Sequence, residues 1–431
     1  MIENPQIDLD STNEVREIPP FEIPKRAEPD WPPAVIAGAS QTGVLGVRSL
    51  KRRGIQAICF DRDPSLPGFK SVYGRAHLCP DPYHNDDAWL DFMITLACKF
   101  GSKPVLIPSS DQYVSAIAKH SEKLKDHYTL SPGIALQGLL TDKNTQYELA
   151  ERHGLPIPRT RIVLSIDEVY EFTREATFPC LIKPIHSHEW RRFPRNHPLY
   201  GKKVAIAKTD QELINDYRIV SAANPNVILQ EIIQGADSAK RVYLSCYNFK
   251  GQRIAKAMFR EFRCSPMGFG PATITEPVAD VETDRICDLF LQKIGYVGIC
   301  EFEMKWDERD GQVKLIEANP RLTGGGDAAP YAGVDLCWIH YLDLIGRSVA
   351  PVAPLGRDFR HVVLRADAEA VPTYWRAGLI GLRDILQSYR PPLAFYDLDW
   401  RDLRNSMETI LVSAHTLLRG ILRNLVNRGN N

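Results

Sequence analysis

Residues 297–321 read VGICEFEMKWDERDGQVKLIEANPR, two apolar runs separated by the turn-like segment DERDG. Successive side chains of a strand point to opposite faces, so Glu301 and Glu303 share one face of the first run. Glu317 and Asn319 share one face of the second run for the same reason. If the strands are neighbours, Glu301, Glu317 and Asn319 converge, and such hard oxygen ligands suit Mg²⁺. The stretch therefore predicts a strand pair with a magnesium site; an exposed face with unrelated carboxylates is the plainer alternative.

Two lysines precede this stretch at positions that suit a cleft. Lys183 ends the apolar run FPCLI, and a lysine at the end of a buried strand delivers a fixed positive charge into a cleft. Lys143 begins a helix that Gly154 is expected to end. Each lysine alone is consistent with an ordinary surface position. Together with the acidic strand pair they predict a nucleotide site.

A third segment, VILQEIIQGAD (227–237), has the pattern of an apolar strand that ends in an acid and turns sharply. Such a turn can present backbone groups to the edge of an adenine ring. Glu231 is the acid of this strand, and Asp237 follows at a position suited to a ribose. The segment adds the base and sugar to the predicted phosphate site.

The chain divides into four segments by composition and periodicity. Residues 1–30 are rich in Pro, Glu and Asp and predict a flexible tail. Residues 31–135 alternate short strands with helices, which predicts a doubly wound parallel sheet. Residues 136–350 have an α+β pattern. Residues 351–431 are predicted to be a helical C-terminal extension.

That extension ends in an amphipathic helix near residues 403–427, with arginines on its polar side. The helix is expected to pack on the body of the protein or on a second subunit, which would make a homodimer. A helix that lies on a membrane surface as a peripheral contact is the alternative.

Composition excludes several classes of protein. Lys plus Arg (53) balance Asp plus Glu (53), so the chain offers no global field for nucleic acid. Nine cysteines without a CxxC pair predict reduced thiols rather than a disulfide framework or a zinc site. The N-terminal sequence MIENPQIDLD lacks the features of a secretory signal, and no run reaches the roughly 20 apolar residues of a membrane span. A cytoplasmic protein is expected.

Several segments resemble the ATP-grasp superfamily over roughly residues 31–345. They are TDK (141–143), GLPIPRT (154–160), LIKP (181–184), QEIIQGAD (230–237) and the opening stretch. IPSSDQYVSAIAKH (107–120) and FREFRCSPMGFG (259–270) resemble the carboxylate–amine ligase branch that includes D-aspartate ligase. The resemblance implies an N-terminal pre-ATP-grasp sheet followed by an ATP-grasp fold of two subdomains.

The resemblance also implies roles for individual residues. Those that would bind ATP are Lys143 and Lys183 at the phosphates, Glu231 and the backbone near Ile233 at the adenine, and Asp237 at the ribose. Those that would bind Mg²⁺, with Mn²⁺ as a substitute, are Glu301, Glu317 and Asn319. Those that would face the γ-phosphate or the acyl intermediate are Arg260, Arg263 and Arg321.

The implied activity is ADP-forming ligation of a small-molecule carboxylate to an amine through an acyl phosphate. Two alternatives stay open: a carboxylase-type enzyme that activates bicarbonate, and an ATP-binding regulatory protein without turnover. One departure from the family is the loop IHSHEWRRFPRNHPLYGKK (185–203), which is basic where many members carry a glycine-rich loop. With residues 264–271 it is a candidate lid. The glycine loop GASQTGVLG (38–46) is a weak dinucleotide signal, because Gln41 replaces a fingerprint glycine, and substrate binding is expected there instead.

Overall fold

The computed structural model describes residues 28, 30–185, 190, 193, 194, 196–200, 202 and 204–429. The side chains of residues 404, 405 and 424–429 are not part of that description. The predicted N-terminal tail (1–30), apart from residues 28 and 30, lies outside the described residues, as does much of the basic loop 185–203.

The first domain is built on a four-stranded parallel sheet, as the sequence predicted. Its strands are β1 (Ala34–Ala37), β2 (Ala57–Asp61), β3 (His77–Leu78) and β4 (Val105–Pro108), in the order β3-β2-β1-β4. Its helices are α1 (Gln41–Lys51), α2 (Asp86–Ala97), α3 (Asp111–Lys119), α4 (Ser121–Leu124) and α5 (Ile134–Leu139). The short runs AVIA and VLIP are fully buried, as strands covered on both faces must be.

A smaller antiparallel sheet follows helix α6 (Lys143–His153). Gly154 ends this helix in the left-handed conformation with φ of 74°, which a glycine adopts without strain. The strands are β5 (Thr160–Val163), β6 (Cys180–Pro184), β7 (Ala205–Ala207) and β8 (Val227–Glu231), in the order β5-β8-β6-β7. Helices α7 (Ile166–Glu175) and α8 (Asp210–Val220) lie between them in sequence and pack against its strands.

A seven-stranded sheet forms the centre of the molecule. Five of its strands are β9 (Lys240–Tyr247), β10 (Arg253–Cys264), β11 (Ala272–Pro277), β12 (Gly298–Asp307) and β13 (Gln312–Asn319). Helix α9 (Val281–Lys293) precedes β12, and α10 (Leu336–Leu344) follows β13. These five strands pair antiparallel in the order β13-β12-β9-β10-β11.

The C-terminal segment completes this sheet, which its predicted helical character did not anticipate. Strands β14 (Arg360–Val362) and β15 (Leu393–Phe395) extend the order beyond β11, and Ile274 of β11 is paired with Val362 of β14. Three helices accompany them: α11 (Leu364–Arg376), α12 (Leu382–Ser388) and α13 (Leu403–Gly429). Nothing in the described residues, by length and apolar character together, qualifies as a membrane-spanning helix.

The two faces of the large sheet have different partners. Tyr243, Phe302 and Met304 pack with residues from α6 and α9. On the other face, Val242 and Leu244 share one core with the first domain and α10. Because Glu303 is paired with Val242 and Glu301 with Leu244, both glutamates belong to this second face.

Candidate active site

The three predicted magnesium ligands lie side by side on strands β12 and β13. The register pairs Glu301 with Asn319 and Glu303 with Glu317. Asn319 Nδ2 donates a hydrogen bond to Glu301 Oε1 at 3.3 Å, and Thr323 Oγ1 donates to Glu301 Oε2 at 2.6 Å. The strand pairing inferred from alternation is therefore the one that the structure contains.

The surroundings of Glu301 fit a cation. Its burial disfavours the charged form and raises the pKa of the carboxyl, although the Thr323 hydroxyl acts in the opposite direction. Gly325 folds so closely over the carboxylate that a Cβ at this position would overlap Glu301 Oε2. The described residues hold no ready-made group of three His, Cys, Asp or Glu metal ligands. A cation here would rely on two carboxylates, one amide oxygen and oxygens from its own ligand, a set that Mg²⁺ accepts.

Lys143 and Lys183 lie close to Glu317 on these strands. Lys143 Nζ is 3.1 Å from Glu317 Oε1. Burial works against the charged form of Lys143, but Glu317, Tyr147 and Glu303 together outweigh it and raise the pKa of the lysine. Lys183 Nζ lies 3.0 Å from Gln230 Oε1 and 3.3 Å from the Tyr147 hydroxyl, and burial together with Lys143 lowers its pKa to about 7. The pKa of Lys183 therefore lies well below that of Lys143.

Arg321 sits at the end of β13 next to the predicted ligands. Its Nη2 donates to Asn319 Oδ1 at 2.9 Å, and its guanidinium also binds Asp111 of α3. Arg321 thus joins the predicted metal site to the first domain.

Glu231 and Asp237 lie farther along the small sheet and the following turn. Glu231 accepts a hydrogen bond from the Thr177 amide at 2.8 Å and lies 3.4 Å from Arg309 Nη1. Asp237 accepts a hydrogen bond from the Tyr374 hydroxyl and is 3.5 Å from Lys240 Nζ. Ile233, just beyond β8, is buried. Both acids are engaged with protein groups, and the predicted adenine and ribose contacts stay predictions.

Two of the predicted phosphate-facing arginines are placed elsewhere. Arg260 is paired with Arg241, which is paired with Met304, so the register puts Arg260 on the opposite face from Glu303. There it forms an ion pair with Glu276 of β11.

Arg263 is buried, with 2% of its side chain exposed, and donates to both oxygens of Asp367 at 3.0 and 2.9 Å. The structure does not bring Arg260 or Arg263 to the cluster around Glu301. Both arginines instead belong to the packing of β10 against β11 and the C-terminal segment.

Sequence reasoning missed Gln230 and assigned no role to Glu303. Gln230 shares the face of Lys183 because it is paired with Leu181, two residues before the lysine, whereas Glu231 points the other way. Glu303 lies directly opposite Glu317, and burial followed by repulsion from Glu317 raises the pKa of Glu303 to about 8. Alternation applied to the residue before Glu231 would have found Gln230, and the same rule had already placed Glu303 on the face of Glu301.

The glycine loop of the first domain is hydrogen-bonded to the carboxylate of Asp61. Asp61, at the end of β2, accepts a hydrogen bond from the Ala39 amide at 2.9 Å and is buried. Gly38 has φ of 119°, and a Cβ on Gly43 would overlap the Gly38 carbonyl. Asp61 therefore stabilises this turn.

Comparison with solved structures identifies the fold. A solved structure of N5-carboxyaminoimidazole ribonucleotide synthetase in complex with ADP has a TM-score of 0.60 at 16% identity, covering 81% of this chain and 85% of that one. An L-amino acid ligase from Bacillus licheniformis has a TM-score of 0.52 at 14% identity, covering 73% and 74%. The chain has the ATP-grasp fold. At such identities the likeness establishes the fold alone.

The sequence itself is similar to that of a curated ligase over part of its length. D-aspartate ligase from Enterococcus faecium (strain Aus0004) is 28% identical over 253 residues, which is 56% of this chain and 59% of the relative. The chain thus matches somewhat more than half the length of that curated protein. No family model matches the sequence.

Proposed function

We propose that this chain is an ATP- and Mg²⁺-dependent ligase that activates a carboxylate as an acyl phosphate and joins it to an amine. The observation that carries the proposal is the joint position of Lys143 against Glu317 and of Arg321 against Asn319, at 3.1 and 2.9 Å. Cations for a polyphosphate and oxygen ligands for a metal thereby meet at one end of a strand pair. The similarity to D-aspartate ligase and to an L-amino acid ligase supports amide formation as the reaction.

Glu301, Glu317 and Asn319 would hold the Mg²⁺, or Mn²⁺ in its place. When bound, the ion neutralises phosphate charge and so favours attack on phosphorus. Lys143 and Lys183 bind phosphate oxygens, and binding a polyanion keeps Lys183 protonated. Arg321, fixed by Asp111 and Asn319, is directed to the transferred phosphoryl group.

The chemistry needs positioning more than a protein nucleophile. A carboxylate oxygen attacks the γ-phosphorus, the bond to the β-phosphate oxygen breaks, and ADP leaves. The amine nitrogen then attacks the acyl carbon, loses a proton and expels inorganic phosphate. The net change is one amide bond formed for one ATP converted to ADP and phosphate.

The test is the effect of Glu317→Ala on ADP release. The purified protein is incubated with ATP, Mg²⁺ and a pool of small carboxylates and amines, and products are identified by mass spectrometry. Glu317→Ala is expected to abolish Mg²⁺-dependent ADP release, whereas Glu282→Ala, a surface change on α9, leaves it unchanged. Equal turnover in both variants would overturn the metal assignment. ADP formed from bicarbonate with no amine present would support the carboxylase-type alternative instead.

A further inference from the structure

Helix α13 attaches to the protein through small residues. Ser406 and Ser413 are buried, and α13 packs against α11. A Cβ on Gly420 would overlap Pro372 of α11, so the two helices approach closely there. These three positions follow one another every seven residues, which is two helical turns, and therefore form one face.

A different face of α13 is apolar and exposed. The members with large side chains are Leu403, Met407, Leu411, Leu418 and Leu422, which are 66%, 55%, 64%, 60% and 59% exposed. Ile410, 42% exposed, lies at the edge of this face on the side of Ser406 and Ser413. Ala414, also exposed, continues the stripe. A continuous apolar stripe of this length is unusual on a surface in contact with water and indicates an interaction surface. The helix therefore covers the body with one face and offers another to a partner.

The spacing of the stripe is the same in both directions. The gaps between its six members are four, four, three, four and four residues. A two-fold axis that passes between residues 412 and 413 therefore superimposes the stripe on itself. We propose that α13 pairs antiparallel with α13 of a second copy of this chain. Leu403 then packs on Leu422 of the second copy, Met407 on its Leu418, and Leu411 on its Ala414.

The charged residues beside the stripe agree with this pairing. Glu408 and Arg419, both exposed, are about three turns apart and so lie on the same flank. Each stands three residues before a leucine of the stripe, Leu411 and Leu422. In an antiparallel pair the same flanks meet, which brings Glu408 within about two residues of the level of Arg419 of the second copy. A parallel pair would instead put Glu408 level with Glu408.

These charges also favour a protein partner over an anionic lipid surface. Glu408 borders the stripe directly, so an acid would be held at the surface of an anionic membrane. Arg423 points away from the stripe, about 140° around the helix from Leu418 and about 100° from Leu422. A second copy provides an opposite charge for both Glu408 and Arg419, whereas an anionic lipid surface would attract only the arginine.

The first test measures the mass of the full chain in solution. Sedimentation velocity is expected to give twice the monomer mass of 48.7 kDa for the native protein. Leu411→Glu/Leu418→Glu is expected to give the monomer, and Leu289→Glu, the same change at an exposed leucine of α9, to leave the dimer intact. A monomeric native protein, or a dimer that the double substitution leaves unchanged, would overturn the pairing. Thermal unfolding checks that each variant remains folded.

Charge exchange tests the orientation and excludes the lipid surface. Glu408→Arg and Arg419→Glu are each expected to weaken the dimer at least tenfold, and the combined variant to restore it. Binding of the native monomer to phosphatidylglycerol vesicles, strengthened by Glu408→Arg, would contradict the proposal.

Cross-linking gives an independent reading in a Cys98→Ser background, since Cys98 is the exposed cysteine and the other eight are buried. A short bis-maleimide is expected to join two copies through Leu411→Cys. It should not do so through Leu403→Cys, whose copies lie about 28 Å apart along the pair. Cross-linking of both variants would indicate a parallel pair and overturn the antiparallel one.

Discussion

Arg321 donates from Nε and Nη2 to the two carboxylate oxygens of Asp111, at 2.6 and 3.1 Å, across the boundary between the ATP-grasp body and the first domain. Burial works against the charge of Arg321, yet Asp111 together with Glu301 and Glu317 outweighs it and raises the pKa of the guanidinium. Asp111 begins α3, directly after strand β4. The position of an arginine at the proposed reacting phosphate is therefore set by a helix of another domain.

Asp111→Asn is expected to lower kcat/KM by roughly tenfold, because a charged bidentate partner of Arg321 becomes a neutral one. The Kd for ATP should change less than about twofold, since Lys143 and Lys183 are untouched. Initial rates and calorimetric titration with ATP measure the two effects. Asp86→Asn removes a comparable carboxylate of the first domain, paired with Lys119 and His120, and is the matched control. Equal loss in both variants would show a general effect on the domain.

Lys183 should make ATP binding dependent on pH. Its pKa is lowered to about 7 by burial and by Lys143, so the lysine loses its proton as the pH rises through 7. Phosphates favour the charged form, and binding above pH 7 therefore takes up a proton. The affinity for ATP is expected to be constant below pH 7 and to fall by up to about tenfold per unit above it. Lys183→Arg stays charged and should remove this slope; the same slope in both proteins would assign it to another group.

Gly325 offers a steric test of the predicted metal site. Gly325→Ala adds a methyl group against Glu301 Oε2 and should displace the carboxylate, with loss of most Mg²⁺-dependent turnover. Gly326→Ala is the matched control, since its Cβ would come no closer than 3.9 Å to Leu322. Activity across a Mg²⁺ titration, with circular dichroism as a check of folding, compares the two. Comparable activity of both variants would argue that Glu301 is not needed at this place.

The pair of Arg263 and Asp367 is expected to stabilise the fold rather than to bind phosphate. Asp367→Ala leaves a buried guanidinium without its carboxylate and should lower the free energy of unfolding by about 3–5 kcal/mol. Arg263→Met with Asp367→Leu removes both charges and should recover most of that loss. Urea unfolding measures stability, and ATP titration should give the same Kd for the double variant and the native protein. Weaker ATP binding without a change in stability would indicate that Arg263 contributes to the ATP site.

The strand pair β12–β13 shows what could be predicted from the sequence. Alternation fixed the shared face of Glu301 and Glu303 on one strand and of Glu317 and Asn319 on the other. The connecting turn DERDG is short, which favours two neighbouring strands. Local spacing and a short connection together were enough to place four side chains in one area.

Arg260 and Arg263 show what local spacing could not predict. Which face of β10 turns to the site depends on its register with β9, and a bulge near Phe262 changes the alternation before Arg263 is reached. The partner of Arg263 lies far along the chain, in α11, and no spacing rule connects them. Strands β14 and β15, of three residues each, were too short to show a period of two.

Val362 of β14 pairs with Ile274 of β11. In the sequence, α9, β12, β13 and α10 lie between these two strands. A ribosome builds the chain from its N-terminus, so β11 remains an open edge during much of synthesis. Open edges pair readily with other chains. A gene truncated after residue 350, at the predicted end of the ATP-grasp segment, would keep this edge open permanently. Its product is expected to accumulate as inclusion bodies, whereas one extended through residue 395 covers the edge with β14 and β15.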